Sequence, residues 1–157
     1  MNTYNMNQYQ QNQISTASPE QILLMLYDGA IRFTRRAISG VEENKPELRR
    51  SGVSKTLAII SEFSNSLNHE IGGEIAEDLD ALYDFMIREL TNANLHSDIG
   101  KLKVVEKLLM DLRQTWGEAV DLNKKTITKR SSIGSQIASA KAATLEPETY
   151  KPFAVSR

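Results

Sequence analysis

The feature that most constrains this chain is a helical apolar stripe that recurs along it, each copy closed by a break signal. Val53, Leu57, Ile60, Phe63 and Leu67 follow one another at steps of three and four, the spacing that gathers side chains on one face of an α-helix. Ile75, Leu79, Leu82, Met86, Leu90 and Ala93 repeat the pattern, and so do Leu102, Val105, Leu109, Leu112, Trp116 and Ala119. A fourth helical run, near the N-terminus, is apolar on more than one face. No alternating pattern is long enough to argue for a strand. Amphipathic helices joined by short links bury their stripes against one another, so the spacing predicts an all-α, antiparallel four-helix bundle.

The break signals set the expected boundaries. Ser18-Pro19-Glu20-Gln21 offers an N-cap, a proline at the first helical position, an acid in the first turn and the glutamine of a capping box. The first helix is expected to run to about Glu43. Pro46 opens the second, because proline lacks the N–H a helix interior needs yet suits a first turn. Residues 69–73 (His-Glu-Ile-Gly-Gly) are expected to close it through a glycine cap, with the third helix resuming at Glu74. Residues 94–97 form the next break, Ser97 or Asp98 capping the fourth helix. After Asn123 the pattern decays, although residues 131–143 can form a short fifth helix around Ile133 and Ile137.

Charge divides the chain in the same way. Of 157 residues with formal net charge -1, the first seventeen carry no charge, residues 18–123 carry 12 basic and 18 acidic side chains, and residues 124–157 carry 7 and 2. We therefore expect a flexible polar arm (1–17), a helical body (18–123) and a basic, flexible tail (124–157). The near-neutral total removes the global signal for nucleic acid. The longest apolar run, residues 22–27, is far short of the roughly 18 to 20 residues of a membrane span. With no signal-peptide pattern at the N-terminus and no cysteine, a cytoplasmic location is the expectation.

Catalytic and metal-binding constellations are not found. His69 and His96 are placed at helix ends, where capping explains them, and neither belongs to an HExxH or ExxH pair. Gly72-Gly73 lacks the lysine and hydroxyl residue of a phosphate loop. The acids of residues 74–84 read as a solvated helix face. No nucleophile has a plausible adjacent base. We expect no enzyme activity, no cofactor and no metal.

The apolar surplus is more informative. Residues 22–26 are consecutively apolar, and Tyr27, Ala30, Ile31, Phe33, Ala37, Ile38 and Val41 extend the apolar arc to about twice the roughly 100° a single buried stripe needs. Packing on two sides would explain this, as would a groove filled by a partner segment. Ala76, Tyr83 and Ile87 flank the stripe of the third helix, Phe85 lies on another face, and Ile59, Val104 and Leu108 lie outside theirs.

Two segments resemble a known family. Residues 9–33 (YQQNQISTASPEQILLMLYDGAIRF) are similar to the opening of the FliS family of flagellar export chaperones, and residues 72–98 (GGEIAEDLDALYDFMIRELTNANLHSD) to its second signature. The resemblance covers about residues 9–121. It implies a non-enzymatic cytoplasmic chaperone that binds the C-terminal segment of flagellin, prevents premature polymerisation and helps deliver it to the flagellar type III secretion system. The export gate and a co-chaperone or regulator are further partners it implies. For partner contact it points to Tyr9, Gln13 and Ile14 in the arm. On the body, motif match together with surplus arc points to Leu26, Tyr27, Ile31, Tyr83, Ile87 and Asn94. The basic stretch 124–157 departs from the family pattern, and Phe85 stands where tyrosine is frequent. A self-associating bundle or adaptor without a flagellin client is the alternative.

Overall fold

The computed structural model describes residues 16–141, which fold into four helices: α1 (Pro19–Glu42), α2 (Pro46–Asn65), α3 (His69–His96) and α4 (Ile99–Lys141). No strand occurs among the described residues. Of the described residues, those up to Gly117 make one compact unit and those from Glu118 a second.

Cross-helix contacts in the first unit establish an antiparallel bundle. Tyr27 meets Phe63 and Thr34 meets Thr56 between α1 and α2. Ser64 meets Asp80 and Arg49 meets Asn94 between α2 and α3. Asp28 meets Arg113 and Arg35 meets Glu106 between α1 and α4. In each pair of helices, numbers rise on one as they fall on the other. Lys101 to Glu89 joins α4 to α3 and completes the ring.

The first helix begins as the local chemistry dictates. Gln21 N–H donates to Ser18 Oγ at 3.2 Å, and Ser18 N–H donates to Gln21 Oε1 at 3.1 Å. This reciprocal capping box satisfies two N–H groups that a helix start otherwise leaves bare. The α1–α2 crossing is close enough to need glycine. A Cβ on Gly52 would lie 2.6 Å from the Phe33 carbonyl oxygen and 2.7 Å from the Ala37 nitrogen. Beside that crossing Thr34 donates to the Ala30 carbonyl at 2.8 Å and Thr56 to the Gly52 carbonyl at 2.9 Å, so both buried hydroxyls are satisfied within their own helices.

The core takes one stripe from each helix. Tyr27, Ala30, Ala37, Val53, Ile60, Met86, Leu90, Leu102, Val105 and Leu109 are essentially solvent-free. A fully buried aliphatic side chain of this size contributes about 1.5–3 kcal/mol relative to exposure, so the stripes dominate the stability of the bundle.

Three expectations are corrected. The α2–α3 break is not at the glycine pair: α2 ends at Asn65, and Asn68 caps α3 by accepting from Glu70 N–H and Ile71 N–H, both at 3.1 Å. His69 therefore opens a helix rather than closing one. Gly73 instead kinks α3 with φ 48° and ψ -124°, a conformation that glycine adopts readily and L-residues resist. Ile75, just past that kink, is 69% exposed rather than part of the core, and Ala119 is exposed as well. Finally, α4 runs unbroken to Lys141 instead of ending near Asn123 with a separate short helix beyond, because nothing in residues 124–141 forbids a helix although their apolar spacing does not demand one. At the α3–α4 break Asp98, one of the two expected caps of the fourth helix, accepts the Lys101 N–H through Oδ1 at 3.3 Å, whereas Ser97 takes the left-handed conformation that ends α3.

Candidate functional site

Two layers of the bundle bear on function: an aromatic junction inside it and apolar flanks outside it. The junction draws on all four helices. Tyr27 of α1 stacks on Phe63 of α2 with ring centroids 4.4 Å apart, and Phe63 lies 5.7 Å from Tyr83 of α3. The two tyrosine hydroxyls share a hydrogen bond of 3.1 Å, in which either can donate. Burial pushes both phenols above the ordinary tyrosine range. For Tyr27 the neighbouring Tyr83 hydroxyl adds to the rise, whereas a hydrogen bond with the Trp116 side chain of α4 opposes it. For Tyr83 the hydrogen bond with Tyr27 opposes the effect of burial. A buried hydroxyl left unpaired costs more than a paired one gains, so the junction fixes how the helices meet.

Outside, apolar side chains remain on the flank where α3 and α4 run side by side. Lys101 Nζ reaches both carboxylate oxygens of Glu89 at 3.3 Å. In that antiparallel register, four residues along α3 and three along α4 bring Phe85 and Val104 onto the same flank. Phe85 is 37% exposed and Val104 43%, above half-buried Leu82 and Leu108. Toward the start of α3, Ile75 is exposed as well. Exposed apolar side chains on one flank are the kind of surface a partner can cover, whereas scattered single ones need no explanation.

The residues singled out from the sequence separate into layers. Tyr27, Ile31 and Tyr83 are buried, Tyr27 completely. Leu26, on α1, is 36% exposed, and Ile87, on α3, is half-buried against the core. Asn94 is half-buried and accepts from Arg49 Nε at 3.2 Å, tying the end of α3 to the start of α2. The structure thus brings Tyr27 and Tyr83 together inside the bundle, leaves Leu26 at the surface beside Tyr27, and holds Asn94 near the far end of α3. Tyr9, Gln13 and Ile14 lie outside the described residues. Phe85 and Val104 are off-stripe positions in the sequence and lie outside the residues to which motif match and surplus arc point. Their signal was present in the surplus arcs, which carry no register of one helix against the other.

Ionisable groups at the surface bind helices together: Arg35 Nε to Glu106 at 2.7 Å and Arg113 Nε to Asp28 at 2.9 Å. Exposed pairs of this type contribute about 0–1 kcal/mol. Among the described residues no group of three or more metal-ligating side chains converges, and no helix is long and apolar enough to cross a membrane. The arrangement is one of exposed apolar side chains around a packed core.

Comparison with known proteins identifies the arrangement. The sequence matches the family profile for the flagellar protein FliS over residues 1–123. It is 37% identical over 117 residues to the flagellar secretion chaperone FliS of Bacillus subtilis (strain 168), covering 74% of this chain and 86% of that protein. Against the FliS of Salmonella typhimurium it is 38% identical over 104 residues, 66% of this chain and 77% of that one. The FliS of Campylobacter jejuni is 37% identical over 112 residues, 71% and 88% respectively. With its all-α bundle and with a family match that reaches from the N-terminus into α4, the chain belongs to the FliS family of flagellar secretion chaperones.

Proposed function

We propose that this protein is a cytoplasmic export chaperone that binds the C-terminal segment of flagellin, holds it back from polymerising and assists its delivery to the flagellar type III secretion system. Family membership over residues 1–123 is the observation that carries this reading. The apolar flanks support it, because an amphipathic client helix needs an apolar groove to shield the face it would otherwise bury in a filament. The chaperone acts by stoichiometric binding, without turnover and without a cofactor. The export gate and a co-chaperone or regulator are its further partners.

In this proposal Leu26, Ile87 and Asn94 contact the client from the body, and Tyr9, Gln13 and Ile14 contact it or compete with it from the arm. Tyr27, Ile31 and Tyr83 back that surface from beneath. Phe85 and Val104 extend it on the α3–α4 flank. Calorimetry with a flagellin C-terminal peptide tests the reading. One-to-one binding with a negative heat-capacity change is expected. No detectable heat at tens of micromolar peptide, taken as about the limit of weak binding, would sink it. Light scattering adds a separate check, since a chaperone awaiting its client remains monomeric at low micromolar concentration.

A further inference from the structure

The flank of α3 and α4 that carries Phe85 and Val104 is bordered by uncompensated charge. Seven acidic residues and one basic, Arg88, give α3 a formal charge of -6. Residues 18–123 together carry 12 basic and 18 acidic side chains, also -6, so the rest of the body sums to zero and α3 holds its whole excess. Glu74, Glu77, Asp78 and Asp84 are exposed, and none forms an ion pair among the described residues, with Arg88 or with any other cation. Positions 74, 78 and 85 fall within about 40° of one another on a helix turning 100° per residue, and positions 77 and 84 lie on the adjoining strip that faces away from the core. A carboxylate favours a helix start only within about the first turn, so that role does not account for Asp78 and Asp84. Like charges held together in this way create a local field that the whole-chain charge of -1 conceals.

We propose that the segment seated on this flank is an amphipathic helix with cationic side chains along one edge of its apolar stripe, Phe85 and Val104 meeting the stripe and the α3 acids meeting the cations. The inference rests on the flagellin reading and names the charge of the client segment that this face accepts. Charge complementarity selects this occupant. An anionic segment would set like charges against each other across the contact, which costs free energy and slows encounter, whereas a cationic edge is steered onto the acids. A divalent cation is not the match, since among the described residues no three ligating side chains converge. A small polycation would neutralise the carboxylates and leave Phe85 37% and Val104 43% exposed. A helix seated in a groove presents its anchors at i, i+3, i+4 and i+7. Glu74, Asp78 and Phe85 follow the same steps, four and seven residues apart, so partner cations at matching steps pair with the acids while the stripe stays on the apolar side chains.

Calorimetry of the full chain with a flagellin C-terminal peptide at two salt concentrations tests it. Wild-type affinity should fall between about 0.1 M and about 1 M salt, as the screening length shortens from about 10 Å to about 3 Å. The double variant Asp78→Asn, Asp84→Asn changes exposed positions past the helix start. It should keep the wild-type circular dichroism, bind about fivefold more weakly in low salt and lose part of the salt dependence. Glu42→Gln with Glu62→Gln removes the same charge from exposed positions on α1 and α2 and should leave binding unchanged. Equal affinity of the two double variants, or tighter binding by the α3 variant, would overturn the proposal while leaving the flagellin reading in place, because the peptide still binds. Self-association without peptide that the α3 variant abolishes would put a second copy on this face and overturn it as well. Absence of any heat with wild type would remove the flagellin reading itself, and this inference with it.

Discussion

Gly52→Ala isolates the packing of α1 on α2. In an open helix interior, alanine is favoured over glycine by about 1 kcal/mol. At Gly52 the added methyl would lie 2.6 Å from the Phe33 carbonyl oxygen, 2.7 Å from the Ala37 nitrogen and 2.9 Å from the Ala37 methyl. Two of those neighbours are helix backbone and cannot rotate aside. Ordinary contact begins near 3.4 Å, so the helices must part by several tenths of an ångström, which also stretches the 3.2 Å Thr34–Thr56 contact. Overpacking a core by a methyl costs about 1–3 kcal/mol. Against backbone we take the upper part of that range, so the propensity gain leaves a net loss of about 1–2 kcal/mol. Gly29 supplies the control on the same helix pair: buried like Gly52, its added methyl would meet Ile59 Cδ1 at 3.5 Å, an ordinary contact. Gly29→Ala should therefore be neutral or stabilising by up to about 1 kcal/mol. Urea titration followed by far-ultraviolet circular dichroism measures both. The two alanine variants should differ from each other by about 2 kcal/mol, with Gly52→Ala the less stable and below wild type. Equal stability of the two, or a Gly52→Ala variant more stable than wild type, would refute the claim that close approach governs this crossing.

Three further outcomes follow from the geometry. Both Tyr27 and Tyr83 are raised above their unfolded value of about 10, so the folded state favours the neutral phenols. Their contribution is complete below pH about 10 and declines above it, by up to about 1.4 kcal/mol per pH unit per tyrosine. The urea midpoint of wild type should fall more steeply above pH 10 than that of the Tyr27→Phe, Tyr83→Phe double variant, and parallel curves would contradict this. Gly73→Ala should lower the urea midpoint through backbone strain alone, by about 1–3 kcal/mol, since nothing lies within 4 Å of the added methyl; an unchanged midpoint would mean that the kink relaxes freely. Phe85→Asp with Val104→Asp, both on exposed positions, should leave thermal stability nearly unchanged. The same pair should weaken flagellin-peptide binding in calorimetry by at least about tenfold, because each apolar side chain loses about 1.5–3 kcal/mol of burial.

Where signals are local, the sequence is a reliable guide. The Ser18–Gln21 box needs only four residues to close, and it closes as expected. Pro46 starts α2 for a reason equally local. The α2–α3 break was legible as a break but not in its form, because Asn68 and Gly72-Gly73 are competing stop signals five residues apart. In the fold Asn68 accepts from two N–H groups at the start of α3 and Gly73 takes the positive φ, a division of roles that the local sequence leaves open. The extent of α4 was likewise hidden, since weak apolar spacing does not distinguish an exposed helix from irregular chain.

By itself the sequence determined the all-α class, the antiparallel order and the family, because periodicity, caps and extended motifs are properties of neighbouring residues. Tertiary structure alone decided which apolar residues are core and which are surface. A tyrosine at a flanking position satisfies a groove and a core equally well in one dimension. Only the meeting of Tyr27, Phe63 and Tyr83 from three helices consumes those side chains internally. Only the register of α3 against α4 leaves Phe85 and Val104 together at the surface. Burial is set by what lies across from a residue, and that partner is distant in the chain.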